Sequence, residues 1–315
     1  MDRRQFIKRS SQAAVGLAFV GRPRWLFASP ASPAATSKIL DFSVPSSPSL
    51  PQIAVARGGP PGKMVTDAVA ALGGVERFIR KGDRVVVKPN ASWDSSPELG
   101  ADTHPDVVAA LVTLCLKAGA RQVVVLDHTI DEPRRCFARS GIGPAASAAG
   151  GRVEFQGTRN FRDVTLGEGI GTWPVMTALF EADKFINLPV VKSHSLSTLT
   201  AAMKNLYGIA GGTRSRLHRK IDESIVALAN FVRPTLVILD AVRVMIRNGP
   251  SGGGAADLIH PHVIAAGTDQ VALDAFAATL LGARPEDVGH IRLAHKKGLG
   301  EMDYKKLRIK HINSV

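Results

Sequence analysis

Two side chains that can bind anions or move protons, Lys192 and His194, end an apolar run that begins at Asn187. The run has the composition of a buried strand, and open α/β sheets build their ligand sites at the carboxyl ends of such strands. A helix predicted over residues 195–207 would carry Lys204 and Asn205 about three turns further on. The sequence therefore predicts a small-molecule site around this segment.

The chemistry follows from the residue types. An ammonium group offers three donors to a carboxylate or phosphate, and a lysine whose pKa falls on burial can act as a base or a Schiff-base nucleophile. His194 titrates near neutral pH and can carry a proton. Lys192 and His194 are the catalytic candidates. The ligand-binding candidates around them are Lys88, Asn90, Lys204 and Asn205. The alternatives are surface salt bridges for the lysines and a structural hydrogen bond for His194.

These side chains need a sheet to position them. Short β-branched runs alternate with helical patterns, which predicts an α/β fold with a mostly parallel sheet and helices on both faces. Strands are predicted over residues 53–56, 84–87, 122–126, 152–155, 184–188, 235–239 and 263–266. Helices are predicted over residues 63–80, 105–118, 195–207, 220–231 and 270–281.

Further charged residues follow other predicted strands. Asp127 and His128 come after the third strand, Asp240 after the strand over 235–239, and Asp269 after the last. Convergence at one carboxyl edge is what a ligand crevice requires, so Asp240 and Asp269 are predicted to bind ligand, to orient the lysines and the histidine, or to bind a metal. The alternative is that these are ordinary solvated loop residues.

A metal site is a competing interpretation. His260 and His262 would point to one side of a strand, and Asp240, His194 or His218 could complete a set of nitrogen and oxygen ligands. Neither H-E-x-x-H nor paired C-x-x-C motifs occur in the sequence, so the sequence assigns neither a set of metal ligands nor a cofactor.

Three loops could extend an anion site. The glycine-rich residues 248–254 and 208–212 offer free backbone amides, although neither has the arrangement of a phosphate-binding loop or a dinucleotide fingerprint. Residues 214–220 form a basic cluster that either extends the pocket or faces solvent. There is no G-x-S-x-G motif, which argues against an α/β-hydrolase.

The amino terminus resembles a twin-arginine export signal. Residues 2–8 contain the arginine pair, and the apolar run over 13–20 is shorter than the about 20 residues that a membrane-spanning helix needs. We predict a signal peptide over 1–34, a Ser/Pro-rich linker over 35–52 and a single α/β domain over 53–315 with a small insertion at 158–177. The expected location is periplasmic or otherwise exported, with the twin-arginine machinery as a partner and without a stable membrane anchor.

The chain carries a net charge of +13, of which the first 34 residues contribute +5. A basic protein can bind nucleic acid, an anionic surface or small anions. Aromatic residues make up only 5% of the chain and no basic reading helix stands out, so a small anionic ligand is expected and nucleic acid is not.

Several motifs together resemble domain-of-unknown-function family 362. They are Lys88-Pro-Asn90 after a valine, Asn187-Leu-Pro-Val-Val-Lys192-Ser-His194, Met203-Lys-Asn-Leu-Tyr-Gly208, Leu239-Asp240 with Asn248-Gly-Pro250, and Gly267-Thr-Asp269 with Leu273-Asp274. The resemblance implies an α/β domain but no agreed reaction. Some relatives carry a ferredoxin-like cysteine cluster; this chain has only Cys115 and Cys136, so an iron-sulfur cluster is not expected and two unpaired thiols are favoured. The resulting alternatives are an enzyme of lyase or isomerase type and a non-catalytic periplasmic ligand- or metal-binding accessory protein.

Overall fold

A computed structural model describes residues 38–167 and 169–315. The predicted signal peptide over 1–34 lies outside the described residues. The strands are β1 Leu40–Asp41, β2 Ile53–Arg57, β3 Arg84–Pro89, β4 Gln122–Asp127, β5 Arg152–Phe155, β6 Phe161–Thr165, β7 Thr172–Met176, β8 Lys184–Leu188, β9 Val190–His194, β10 Thr198–Thr200, β11 Val232–Arg233, β12 Leu236–Met245, β13 Leu258–Ile259, β14 Val263–Gly267 and β15 Ile309–Asn313. The α-helices are α1 Pro61–Ala71, α2 Pro105–Lys117, α3 Pro133–Arg139, α4 Ile142–Ala148, α5 Ala202–Asn205, α6 Ile221–Phe231, α7 Gln270–Leu280 and α8 Gly289–Lys296.

The main sheet has the strand order β15-β2-β14-β12-β8-β3-β4-β5; β9 and β13 also pair with β12, and β10 pairs with β9. Strand β14 runs antiparallel to its neighbours β12 and β2, whereas the other neighbouring pairs in this order are parallel. Central strands such as β3 are buried along almost their whole length, because apolar residues face the helical layers on both sides. The predicted mostly parallel sheet is confirmed.

Helices cover both faces of this sheet. Met64 and Val69 of α1 and the buried stripe of α2 pack with alternate strand residues such as Val85 and Val87. On the other face, α6, α7 and α8 pack around Val86 and Val237. The alternation of strand side chains between these two cores follows from the period of two in a strand. The α/β class with helices on both faces is thus confirmed. Among the described residues, Cys115 and Cys136 are both buried and unpaired, as favoured from the sequence.

The helix predicted over 195–207 is wrong for most of its length. Strand β9 turns back through β10, with Thr198 paired to His194 and Thr200 to Lys192, and only the four residues of α5 are α-helical. One side chain stabilises the turn: His194 accepts hydrogen bonds from the backbone amides of Leu196 and Ser197, at 3.1 and 3.4 Å. Short polar side chains that bond nearby backbone compete with helix, which explains the difference.

Helix α1 also ends earlier than the predicted range 63–80. Gly73 and Gly74 follow it with φ angles of 105° and 87°, a region that residues with a side chain rarely adopt. Such glycines are a common helix stop. The glycine pair therefore ends α1 at Ala71, and the chain continues into a short 3₁₀ turn at Val75–Arg77.

The predicted insertion at 158–177 contains a separate antiparallel hairpin of β6 and β7. Trp173 donates from Nε1 to the oxygen of Gly211 at 3.1 Å, and the ring of Phe161 lies 4.9 Å from that of His128. The hairpin therefore packs over the loop that leads from α5 toward residues 214–220.

Residues 38–52 differ from the free linker that their composition predicts. Leu40–Asp41 pairs with Val232–Arg233, and Phe42 packs against Phe185 with ring centroids 6.0 Å apart. Arg308 donates hydrogen bonds to the oxygens of two residues in the same segment, at 2.9 to 3.1 Å. These contacts place residues 38–52 against the fold, so its boundary lies before residue 53. In the described parts of the chain we find no helix with both the length and the apolar character needed to cross a membrane.

Candidate functional site

A cavity of about 280 Å³ opens where β3 and β9 end and α5 begins. Its walls combine basic, aromatic and apolar side chains. The lining residues are Asn90, Ser92, Trp93, Ile130, Lys192, His194, Ser195, Leu196, Thr200, Lys204, Asn205, Tyr207, Gly208, Arg214, His218 and Pro250. Among the residues that the structure describes, no aspartate or glutamate lines this cavity. Its volume suits a small ligand, since sites for drug-sized molecules start at about 300 Å³.

Lys192 enters the cavity from β9 and is almost fully buried. Its Nζ donates to the oxygen of Ala101 and to Oδ1 of Asn90 at 3.3 Å. An ammonium group has three donors, so one remains for a ligand. Burial lowers the pKa of Lys192 below its ordinary value, while the nearby carboxyl group of Asp102 opposes that shift. Burial in turn raises the pKa of Asp102 to about 7.

The floor beneath the cavity is a closed hydrogen-bond network. Lys88 Nζ lies 2.7 Å from Oδ1 of Asp127 and donates to Oδ1 of Asn205 at 3.1 Å. Asn205 also accepts from Nδ2 of Asn90 at 3.1 Å and donates to Oδ1 of Asn187 at 2.8 Å. Lys88 therefore does not line the cavity. It lies beneath the cavity, where it connects β3 with Asp127 of β4 and Asn205 of α5.

Gly208 allows this network to form. A Cβ atom at residue 208 would lie 2.0 Å from Oδ1 of Asp127 and 2.6 Å from Nζ of Lys88. The backbone oxygen of Gly208 also accepts a hydrogen bond from the amide of His128 at 3.0 Å. The motif that ends in Gly208 thus needs glycine for close approach and not for loop flexibility.

Lys204 has a different environment. Its side chain is 8% exposed and lines the cavity, and no described residue accepts a hydrogen bond from Nζ or forms an ion pair with it. Its contact is with the ring of Tyr207, whose centroid lies 3.7 Å from Nζ. Burial, assisted by the charges of Lys192 and Arg214, lowers the pKa of Lys204 to about 7. Lys204 is therefore available both as an ammonium and as a free amine near neutral pH.

His194 is held as a neutral hydrogen-bond donor. Its Nδ1 accepts from the amides of Leu196 and Ser197, so in the neutral ring the proton lies on Nε2. Burial and the neighbouring Lys204 lower the pKa of His194 to about 3. A ring in this state donates to a ligand but does not accept a proton from it at Nε2. This geometry favours a hydrogen-bond donor role for His194 over the proton-carrier role predicted from the sequence.

Part of the basic cluster over 214–220 joins this cavity. Arg214 donates from Nη1 to the oxygen of His128 at 2.7 Å and from Nη2 to that of Thr129, which leaves further guanidinium donors free. The ring of His218 lies nearly parallel to that of His194, with centroids 6.4 Å apart. For Arg214 and His218, these contacts favour the interpretation that the basic cluster extends the anion pocket over the one in which it faces solvent.

The glycine-rich loop over 248–254 contributes through a different residue. The amide of Gly249 donates to Oγ of Ser193 at 3.1 Å, and a Cβ at residue 249 would meet the backbone oxygen of Ser193 at 2.0 Å. Pro250 then reaches the cavity. The loop therefore abuts β9 instead of presenting a row of free amides.

Asp240 and Asp269 are not brought to the cavity. Asp240 is buried within β12 and accepts from the amides of His104 and Val242 at 2.7 and 2.9 Å, so it supports the start of α2. Asp269 lies at the opposite, amino-terminal edge of the parallel strands because β14 runs antiparallel to β12. It caps α7 through the amide of Ala272 at 2.9 Å. The placement predicted for both carboxylates is corrected.

The metal interpretation also lacks a site. His260 and His262 line a separate cavity of about 510 Å³, away from His194 and His218. Across residues 38–167 and 169–315, no group of three or more His, Cys, Asp or Glu is arranged to hold a metal ion. The metal set predicted from His260 and His262, completed by Asp240, His194 or His218, is therefore not supported.

Several residues at or near the cavity were not singled out from the sequence. Trp93, Ile130 and Leu196 line its mouth, and Asp102 lies near Lys192. Trp93 follows Asn90 by three residues in the loop after β3, and this position could have indicated a cavity residue. Asp102 has no such signal, because its approach to Lys192 depends on the path of the loop between β3 and α2.

The fold and the cavity together define an α/β protein with a basic pocket at the carboxyl edge of its sheet, and the described residues that line this pocket include no carboxylate. The sequence profile described as "Domain of unknown function (DUF362)" matches residues 85–279. This match spans more than half of the chain, and the protein belongs to that family. The match confirms the resemblance predicted from the sequence motifs.

Individual relatives add context. The chain is 30% identical over 237 residues to "Thylakoid-associated protein sll1697" of Synechocystis sp., covering 72% of each chain. A crystal structure of a Thermotoga maritima protein matches 76% of this chain and 60% of its own length, with a TM-score of 0.40 and 12% identity. The lactate racemase apoprotein from Thermoanaerobacterium thermosaccharolyticum matches 74% and 57%, with a TM-score of 0.41 and 9% identity. The two solved structures are too distant to inform the function.

Proposed function

We propose that this protein binds a small carboxylate or phosphate in the cavity, as part of a lyase- or isomerase-type reaction. One observation carries the proposal: Lys204 is buried at the cavity wall without a hydrogen-bond acceptor or ion-pair partner among the described residues. A buried ammonium group is costly unless it is paired. An anionic ligand supplies the missing partner.

The neighbouring donors suit the same ligand. Lys192 has one uncommitted N–H, Arg214 has uncommitted guanidinium donors, and His194 presents Nε2–H. Charge-assisted hydrogen bonds from such donors are the strong ones for carboxylate and phosphate oxygens. Because no described carboxylate competes for them, the cavity favours an anion over a cation.

The roles proposed for the cavity residues differ from those that the sequence suggests. Lys192 and Lys204 are both proposed to contact the anion, and Lys204, with its pKa near 7, is also the group that can gain or lose a proton during turnover. His194 would donate to an oxygen of the ligand. Lys88 and Asn205 are assigned a supporting role, since their polar atoms are used in the network below.

Isothermal titration calorimetry with acetate and with inorganic phosphate tests this proposal. We expect Lys204→Met to weaken binding of the preferred anion by about tenfold to a hundredfold, because a hydrogen bond to a charged group contributes about 1.5–3 kcal/mol. Lys310→Met, which removes an exposed lysine on β15, should bind as the unaltered protein does. Equal affinities for all three proteins would overturn the assignment, as would the absence of binding of either anion.

The place of action is proposed to be outside the cytoplasm. The twin-arginine-like residues 2–8 support this proposal, as does the thylakoid association in the name of the Synechocystis relative. Replacing Arg3 and Arg4 by lysine should retain the protein in the cytoplasmic fraction of its own cells. Unchanged export of that variant would contradict a twin-arginine route.

A further inference from the structure

Lys204 differs from the other buried lysines at this edge of the sheet. Lys88 is ion-paired with Asp127 at 2.7 Å, and Lys192 donates to two oxygens and lies in the field of Asp102. Lys204 has no such acceptor among the described residues, and its Nζ lies over the ring of Tyr207. Of these three amines, that of Lys204 is the one whose lone pair can be exposed to a ligand without first breaking a hydrogen bond to the protein.

The surroundings favour the unprotonated amine. Lys192 and Arg214 add positive charge, and His194 is neutral and carries its proton on Nε2. A lysine that is desolvated and placed near other cations is activated as a nucleophile, because the protein opposes its protonation. The pKa of about 7 agrees with this placement. The cavity therefore holds a reactive amine beside the groups that would bind an anion.

We propose that Lys204 forms an imine with the carbonyl carbon of a small 2-oxo acid whose carboxylate is held by Lys192 and Arg214. This inference rests on the proposed function and names its substrate class. Nζ of Lys204 attacks the carbonyl carbon, and the proton that leaves the nitrogen passes to the former carbonyl oxygen. The second proton of the nitrogen also passes to that oxygen, which departs as water and leaves the carbon–nitrogen double bond. No oxidant or reductant is required.

Other cavity residues fit these steps. Nε2–H of His194 can hydrogen-bond to the carbonyl oxygen as negative charge develops on it. At the mouth, Ile130 and Leu196 are 55% and 61% exposed and line the cavity, so a small acid would enter past an apolar rim. The imine nitrogen, once protonated, is a cation that withdraws electrons from the neighbouring carbon. Such a cation supports the lyase or isomerase chemistry of the proposed function.

Reductive trapping tests the proposal. The protein is incubated with pyruvate and sodium cyanoborohydride, which reduces an imine to a stable secondary amine, and is analysed by intact and peptide mass spectrometry. We expect one carboxyethyl group per chain, located on Lys204. Lys204→Arg should lose this adduct, whereas Lys310→Arg should form it as the unaltered protein does. An adduct that persists in Lys204→Arg, or that is spread over exposed lysines, would overturn the proposal.

Binding measured in parallel separates this inference from the one on which it rests. Calorimetry with propionate, which has no keto group, and with pyruvate reports anion binding alone. If both acids bind and Lys204 remains unmodified, imine formation is wrong while anion binding stands. If neither acid binds and no adduct forms, both proposals fail. Retained thermal stability of Lys204→Arg confirms that a lost adduct does not result from unfolding.

Discussion

Lys88 and Lys204 are two buried lysines near the same end of the sheet, and they have opposite surroundings. Lys88 is surrounded by acceptors, with Asp127 at 2.7 Å and Asn205 at 3.1 Å. Lys204 lies against an aromatic ring and a cavity, with no acceptor among the described residues. The first arrangement stabilises the fold, whereas the second leaves a charge that a ligand can satisfy. Residue type and burial alone do not separate a structural lysine from a ligand-binding one; the partners do.

The largest effect that the comparison predicts is on stability. Asp127→Ala leaves Lys88 buried without its counter-charge and also removes an acceptor for the amide of Ala91. Breaking one partner of a buried pair costs about 3–5 kcal/mol, so the free energy of unfolding should fall by that amount. Urea denaturation measures it.

An exposed pair provides the control for this variant. Asp303 lies 3.8 Å from Lys306, and both side chains are more than half exposed. Asp303→Ala should change the unfolding free energy very little, because exposed ion pairs contribute about 0–1 kcal/mol. Similar losses in the two variants would mean that the network below the cavity is not what stabilises this edge.

A smaller effect is expected at the opposite edge of the sheet. Asp269→Ala removes the cap of α7 and an acceptor for the amide of Glu301 at 2.8 Å. The loss of a helix cap costs about 1 kcal/mol, which thermal denaturation can resolve. Anion affinity should remain unchanged, because Asp269 is remote from the cavity. Weakened anion binding at unchanged stability would instead restore Asp269 to the site.

The comparison also shows how far sequence patterns reach. The rule that ligands bind at the carboxyl ends of parallel strands was enough to group Lys192, His194, Lys204 and Asn90. The same rule failed for Asp269, since the sequence of β14 does not reveal that this strand runs antiparallel to its neighbours. Strand direction depends on long-range pairing and leaves no local pattern.

Local sequence patterns also did not predict the hydrogen-bond and ion-pair partners of the titratable side chains. The segment over 195–207 satisfies a helical apolar period, yet the hydrogen bonds of His194 favour a hairpin there. The contrast between Lys88 and Lys204 likewise depends on Asp127, which is distant in sequence from both. The fold class and the edge of the site were predictable, whereas the state of each titratable group required the three-dimensional contacts.

Lys204 is proposed to be a buried lysine whose charge is balanced by a bound anion. An NMR titration of its ¹³Cε resonance tests this proposal directly. Comparison with Lys204→Arg assigns the signal. The account predicts a midpoint near the pKa of about 7, and an upward shift when acetate binds, because the anion stabilises the ammonium form. By the same linkage, acetate affinity should fall as the pH rises through about 7. A midpoint near the ordinary lysine pKa of 10.5 that does not respond to acetate would contradict the proposed anion-binding role of Lys204.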